Sequence, residues 1–482
     1  MNQIQEKTDV GEKEKYLVLA EEATKWIELH HKEFNEDLRR MIRIKSVSVR
    51  NEESGYPFGE GCAHILDYAL SRCEELGFRT ENHEYYCGSA FLDGETPEEL
   101  GIFVHLDVVD EGNDWNYPPY EGIELDGFMI GRGAADNKGA AISSLYALRY
   151  LKEHSIGLRH TVRLYFGCNE EAGMEDIRYF LQHHKNPAFS IVPDAAFSVC
   201  HGEKGSLLFE LQCDLKDTNL KEFTAGTAQN KVPDQAQAVI TGVDPEKIHQ
   251  VLKDKDCVVA YGKEDVTIHT DGVSALAADP YKGVSASCKL ATILADSSFL
   301  DPKTTKAMMF LKKILSDFNG KGLGIAFEDE PSGALTAIGG ITCIKDGKLI
   351  QTINVKYPVT ANAENILKTV RNLCEKEGFE IAEIKDNPPV YVPLDNPAVR
   401  CLHTVCNRVL NANEKPYIMA NGTYARKLHN AVGYGPGPNP RRSQFGAQRG
   451  KGHQPDESME LSLLYHAVPV FVAALYELDQ IV

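Results

Sequence analysis

The sequence predicts the α/β class: an open, mostly parallel sheet dressed with helices, interrupted by an inserted α+β domain. Two observations carry that prediction. Between residues 101 and 192, short apolar runs alternate with amphipathic helical stretches, as βαβ units require. Between about 205 and 385 the character changes, with strand-like runs at 206–211 and 349–355 and helical stretches at 244–253 and 285–294. A chain of 482 residues also exceeds what one core usually organises, roughly 250–300 residues. The expected division is 1–204 and 386–482 for a discontinuous first domain, and 205–385 for the insertion.

The elements follow in order. Residues 14–43 carry a charged helical pattern. A second helix is expected over 62–76, where Ile65, Leu66, Tyr68, Ala69 and Cys73 fall near i, i+3, i+4 spacing. The run GIFVHLDVV (101–109) reads as a buried strand. Residues 137–154 form an amphipathic helix with Ile142, Leu145, Leu148 and Leu151 on one stripe. TVRLYFGC (161–168) is a further strand, 176–184 a helix, and 189–192 a short strand ending at Pro193-Asp194. After the insertion the first domain resumes at 388–393, with a helix at 398–410 and a final helix at 458–478. In open α/β sheets ligands bind beyond the carboxyl ends of the strands, and most of the polar residues considered next lie there.

Composition narrows the function classes. Asp and Glu number 70 against 51 Lys and Arg, a formal charge of −19. Such a surface repels a phosphate backbone, which argues against nucleic acid as the main partner, and it suits cations. The first sixteen residues are polar, without the apolar run of a signal peptide, and nowhere do about 18 apolar residues follow one another, so no membrane partner is expected. Twelve scattered cysteines without a Cys-x-x-Cys pair read as reduced thiols of a cytoplasmic protein.

Seven positions could carry chemistry. His105 and Asp107 form His-x-Asp at a strand end, where i and i+2 share a side; Asp107 could orient a metal-bound His105, or both could simply hydrogen-bond locally. Asp136 stands just before a helix, as an N-cap or as a carboxylate free to bridge two cations. Glu170 and Glu171 are adjacent carboxylates that repel each other unless a cation or proton intervenes. One could ligate a metal while the other accepts a proton from water; the alternative is an exposed first helical turn. Asp194 is another strand-end carboxylate, and His453 lies in a Pro-containing turn. Together, two His and three carboxylates suit a pair of zinc or similar ions, with one Glu left over as a base.

In this order the motifs are similar to those of the PepV-type bacterial dipeptidases, within the co-catalytic zinc exopeptidases that include aminoacylases and succinyl-diaminopimelate desuccinylase. The carrying segments are VHLDVVDEG (104–112), GRGAADNKGA (131–140), FGCNEEAG (166–173), VPDAAFSVCHGEKG (192–205), NGTYAR (421–426) and GHQPDE (452–457). The resemblance implies a zinc-exopeptidase-like catalytic domain with an inserted α+β lid domain that closes over the substrate. It implies two divalent metal ions, zinc or else manganese: His105 and Asp194 on one, Glu171 and His453 on the other, Asp136 bridging. Glu170 becomes the general base and Asp107 the residue behind His105. Asn230 in AQNKVP (228–233), Lys356 and Arg426 fall at substrate-contacting positions. An enlarged lid implies a monomer.

The chain also departs from that pattern. Asn137 replaces a second Asp. Leu276, in GVSALAADPYKG (272–283), stands where a His is usual, and Lys356, in NVKYP (354–358), where an Arg is usual. His269 is not assigned the missing role. The loop 435–451 holds Arg441, Arg442, Arg449 and Lys451, either solvated or forming a cationic rim for a substrate carboxylate. The expected function is a metallopeptidase cleaving dipeptides. The alternatives are an amidohydrolase for N-acyl amino acids or another small amide, and a metal-binding homologue with little turnover, to which an intact Glu170 is opposed.

Overall fold

The computed structural model describes residues 15–51, 55–437, 445–446 and 449–482. The chain divides into two compact units. The first comprises Met1–Gly202, Tyr391–Tyr417 and Gly422–Val482; the second comprises Glu203–Val390 and Ile418–Asn421.

The first unit is built on a mixed sheet. Its order begins Arg79–His83, Cys87–Leu92, His160–Gly167, Thr96–His105, Phe189–Val192, Ala431–Gly433. The inner pairings among the last four of these are parallel, whereas the hairpin Arg79–Leu92 is antiparallel and joins His160–Gly167 antiparallel. Strands buried on both faces read as continuous apolar runs, and here alternate residues feed different cores. Ile102, Val104, Leu164 and Phe166 enter the large cluster under the helices, while Phe103 and Tyr165 enter a smaller one with Ile177, Phe180 and Tyr424.

The large cluster is covered by Lys15–Arg43, Lys138–Glu153, Pro397–Val409 and Leu461–Leu478. Leu461–Leu478 is long and apolar enough to cross a bilayer by length and composition, but 67% of it is buried within the protein. Its face of Leu464, Val468, Phe471 and Leu475 is sequestered in the core, as expected of a central helix that is apolar nearly all round. The sequence suggested one helix over 458–478. The first three residues instead form the strand Ser458–Glu460, paired antiparallel with Phe128–Ile130, and the helix starts at Leu461.

The second unit is an eight-stranded, wholly antiparallel sheet with the helices Pro245–Leu252, Ala286–Ala295, Pro302–Leu315 and Ala363–Glu377. Strand Gly205–Asp214 shows the pattern of a sheet covered on one face: Leu207, Phe209, Leu211 and Cys213 are buried and the residues between them are not. The fold is thus α/β with a second α+β domain. The twelve cysteines are free thiols.

Candidate metal centre

Three adjacent parallel strands deliver the site. His105 ends its strand opposite Gly167, the last residue of the neighbouring strand, and Val192 ends the third. Each strand ends at a candidate ligand or within a few residues of one: His105 itself, Glu170 and Glu171 after Gly167, and Asp194 after Val192. Asp136 arrives from the turn before the helix Lys138–Glu153, and His453 from the turn before Ser458–Glu460.

The strand stops at His105 rather than running to 109, so the shared-face relation expected of His105 and Asp107 does not arise on extended chain. What faces the ring is the Asp107 backbone carbonyl, 2.9 Å from Nδ1, with the carboxylate at 3.5 Å. The Asp107 carboxylate instead accepts hydrogen bonds from the backbone N–H groups of Glu170 (3.1 Å) and Glu171 (3.0 Å). It therefore fixes the two glutamates as much as it does His105.

Asp136 caps nothing: the N-cap position belongs to Asn137. Its Oδ1 lies 3.0 Å from His105 Nε2 and its Oδ2 lies 3.1 Å from His453 Nε2. Glu171 Oε1 is 2.8 Å from His453 Nε2, and Asp194 Oδ2 is 3.9 Å from His105 Nε2. Asn137 donates to Pro193 O (2.8 Å) and Asp194 Oδ1 (3.3 Å), holding the Asp194 turn. Ligand atoms of His105, Asp136 and Glu171 lie within 4.8 Å of one another, as do those of His105, Glu170 and Asp194.

Charge makes this set suited to cations. Burial alone would raise the Asp136 carboxyl, yet hydrogen bonds from His105 and His453 hold it well below the usual carboxylate range. Burial would lower His105, yet Asp107 and Asp136 hold it well above its ordinary value. Hydrogen bonds to Asp136 and Glu171 push His453 up to about 11, although its side chain is about half exposed. Burial pushes Glu170 well up, and the neighbouring Asp194, Glu171 and Asp107 add to it against the pull of His105. Glu170 Oε1 is enclosed and accepts no hydrogen bond, although the residue as a whole is partly exposed. Four carboxylates around two imidazoles, one carboxylate oxygen unpartnered, form a donor set that fits divalent cations with mixed nitrogen and oxygen ligands.

The remaining sequence candidates are dispersed. Arg426 sits in the 3-10 turn Tyr424–Lys427 with its guanidinium against Gly422. Asn230 and Lys356 belong to the second unit. Asn230 is exposed; its carbonyl accepts from Ala277 N (2.9 Å), and Lys231 forms an isolated bridge with Leu276. Lys356 Nζ donates to Ser206 Oγ at 2.9 Å. His269 is an exposed residue of the strand Asp265–Asp271. Arg449 pairs with Asp456 at 2.5 Å, Lys451 is exposed, and Arg441 and Arg442 lie outside the described residues.

Several neighbours of the site were missed, although all but Asp176 stand inside the quoted motifs. Tyr424, of NGTYAR, is buried, donates its hydroxyl to Asp176, and lies nearly perpendicular to the His105 ring with centroids 6.5 Å apart. Asp176 in turn accepts from Cys168 N and Asn169 N, both at 2.8 Å, just ahead of Glu170. Glu457 and Arg132 pair beneath Asp136. For Tyr424, Arg132 and Glu457 only their position within the motifs hinted at this, because their partners are remote in sequence.

A family model described as peptidase family M20/M25/M40 matches residues 101–477. The chain is 31% identical over 456 residues to a Bacillus subtilis (strain 168) protein named "Putative dipeptidase YtjP", an alignment covering 92% of this chain and 96% of that protein. Among solved structures, the di-peptidase Dug1p of Saccharomyces cerevisiae shares its fold with a TM-score of 0.59 at 12% identity, over 96% of this chain and 98% of that one. Human carnosine dipeptidase 1 does so with a TM-score of 0.55 at 17% identity, over 96% and 99%. The chain belongs to peptidase family M20/M25/M40, and it is a hydrolytic enzyme of the metallopeptidase kind.

Proposed function

We propose that the protein is a dinuclear metal-dependent hydrolase that cleaves the amide bond of dipeptides or related small substrates bearing a free carboxylate. The observation that carries this is the Asp136 carboxylate, with one oxygen facing each of two histidines at 3.0 and 3.1 Å. His105 and Asp194 would hold one ion, Glu171 and His453 the other, and Asp136 both. Two bound divalent cations, zinc by preference and otherwise manganese, would polarise the scissile carbonyl and make water acidic enough to react at neutral pH.

The chain's own residues do the rest. Glu170 is the carboxylate that the ion set can spare. It takes the proton of the attacking water and delivers it to the leaving amine, as a base within hydrogen-bond reach of both can do. Asp107 fixes the backbone at both glutamates by accepting from their N–H groups. The second unit is proposed as the lid, with Asn230 and Lys356 contacting substrate, and Arg426 doing so from the first unit. The relative's printed name supports a dipeptide substrate. A panel of dipeptides and N-acyl amino acids, assayed on stripped protein reloaded with Zn or Mn, tests the reading. Hydrolysis of N-acyl amino acids alone would replace it with the amidohydrolase alternative.

A further inference from the structure

Beneath the Asp136 turn lies a buried ion pair that the proposed reaction does not use. Glu457 and Arg132 are 0% and 1% exposed, and Arg132 Nη1 meets Glu457 Oε2 at 2.6 Å. The other oxygen, Oε1, accepts three backbone N–H groups at once: Gly133 (3.1 Å), Ala135 (3.0 Å) and Asp136 itself (3.1 Å). The Glu457 carbonyl accepts from Gly131 N at 2.8 Å. Arg132 completes the frame, donating to the Gln454 carbonyl at 3.4 Å and to the Asp110 and Glu111 carbonyls at 3.3 Å.

One pair thereby ties together three loops. The first follows His105, the second carries Asp136, and the third carries His453, four residues before Glu457. Burying two charges is costly unless their hydrogen bonds are filled, and a well-packed apolar pair would often serve stability better. The arrangement makes sense where geometry is at stake: the Asp136 oxygens face their two histidines only while this turn keeps its path.

We propose that Glu457, braced by Arg132, is a positioning residue that aims the Asp136 carboxylate between the two metal positions. The proposal rests on Asp136 being the bridge. It depends on the reach of the Glu457 oxygen to the three N–H groups more than on its charge, so two full-length variants separate the causes. Glu457→Gln keeps an oxygen at that reach and loses the charge. Glu457→Asp keeps the charge and withdraws the oxygen by one methylene.

Affinity for Mn and Zn is measured by chelator competition, the exchange-coupled Mn signal by electron paramagnetic resonance, and the melting temperature on the metal-free proteins. In Glu457→Asp, the affinity for the second ion should fall by about tenfold or more, and the coupled signal should weaken. Glu457→Gln should lose clearly less. Two results would overturn the proposal: Glu457→Asp binding both ions as the natural protein does, whatever its melting temperature, or Glu457→Gln losing as much as Glu457→Asp, which would show that the reach of the oxygen is not what holds the site. If Glu457→Asp is recovered only unfolded, Arg132→Lys takes its place. It keeps the charge and drops the fork, the same loss is expected, and unchanged uptake of both ions overturns the idea. Should the natural protein bind no more than one ion, the dinuclear reading fails by itself, and the brace is then read from the affinity for that single ion.

Discussion

Glu170 and Glu171 are adjacent in sequence and of one chemistry, yet their surroundings separate them. Glu171 meets His453 at 2.8 Å, while Glu170 Oε1 is enclosed without a partner. Replacing Glu170 by Gln should lower kcat by about 10²–10⁴-fold, the usual range for a lost general base, with two ions still bound by metal analysis. A variant retaining natural kcat would remove Glu170 from that role. Leu276 is the second informative residue. It is half exposed, and Val273, Tyr281 and Val284 in the same segment are exposed as well. A leucine cannot donate to an oxygen that becomes negative, and loss of one such donor typically slows turnover by about 10²–10³-fold. Lys356 in place of Arg likewise gives up a planar fork for a point charge. We therefore expect low kcat/KM on simple unbranched dipeptides and higher kcat/KM on an amide with an apolar group. Leu276→His should raise the former. Fast cleavage of ordinary dipeptides by the natural protein, with no gain in the variant, would sink this idea.

At the scale of elements, the hairpin Arg79–Leu92 carries a pH dependence of stability. His83 is buried, with Nε2 3.0 Å from Ser89 Oγ and its ring 4.6 Å from that of His184. Burial, then His184, Arg163 and His183, lower its pKa from 6.5 to about 4. Above pH 6.5 it is neutral in both folded and unfolded chains and contributes nothing to the pH dependence. Below that, the unfolded chain takes up a proton that the folded one refuses until about pH 4. Stability should therefore fall as pH drops through this window, by at most about 1.4 kcal/mol per pH unit for one proton. Denaturant melts of His83→Asn between pH 7 and 4 should show a shallower decline; a slope equal to that of the natural protein would exclude His83 as the cause. This hairpin was not foreseen in the sequence. RTENH is mostly polar, as befits an outer strand with little burial, and carries no apolar alternation to reveal it. The strands 161–168 and 189–192, by contrast, are apolar because both their faces are covered, and were legible within a residue.

At the scale of the whole molecule, the proposed ions bind only the folded first unit, because their ligands come from positions 105 to 453. Ligands that bind only the native state stabilise it by mass action, about 2.7 kcal/mol at a hundred times Kd. Calorimetry of the metal-free protein should show that adding Zn or Mn raises one unfolding transition and leaves that of the second unit in place. Titration should end at two ions per chain. Saturation at one ion, or an equal shift of every transition, would contradict the assignment.

Sequence alone determined the class of fold and the family, and it offered the candidate metal ligands. These follow from local facts: apolar runs mark buried strands, and a few short motifs in fixed order carry the chemistry. Only tertiary structure decided how the residues are used. That Asp136 caps no helix, that the Asp107 carboxylate grips the 170–171 backbone, and that Glu457 and Arg132 lie under the Asp136 turn all depend on partners tens to hundreds of residues away. A carboxylate's role is set by which donors surround it and how much water it keeps, and those are properties of the packed chain, not of its neighbours in sequence.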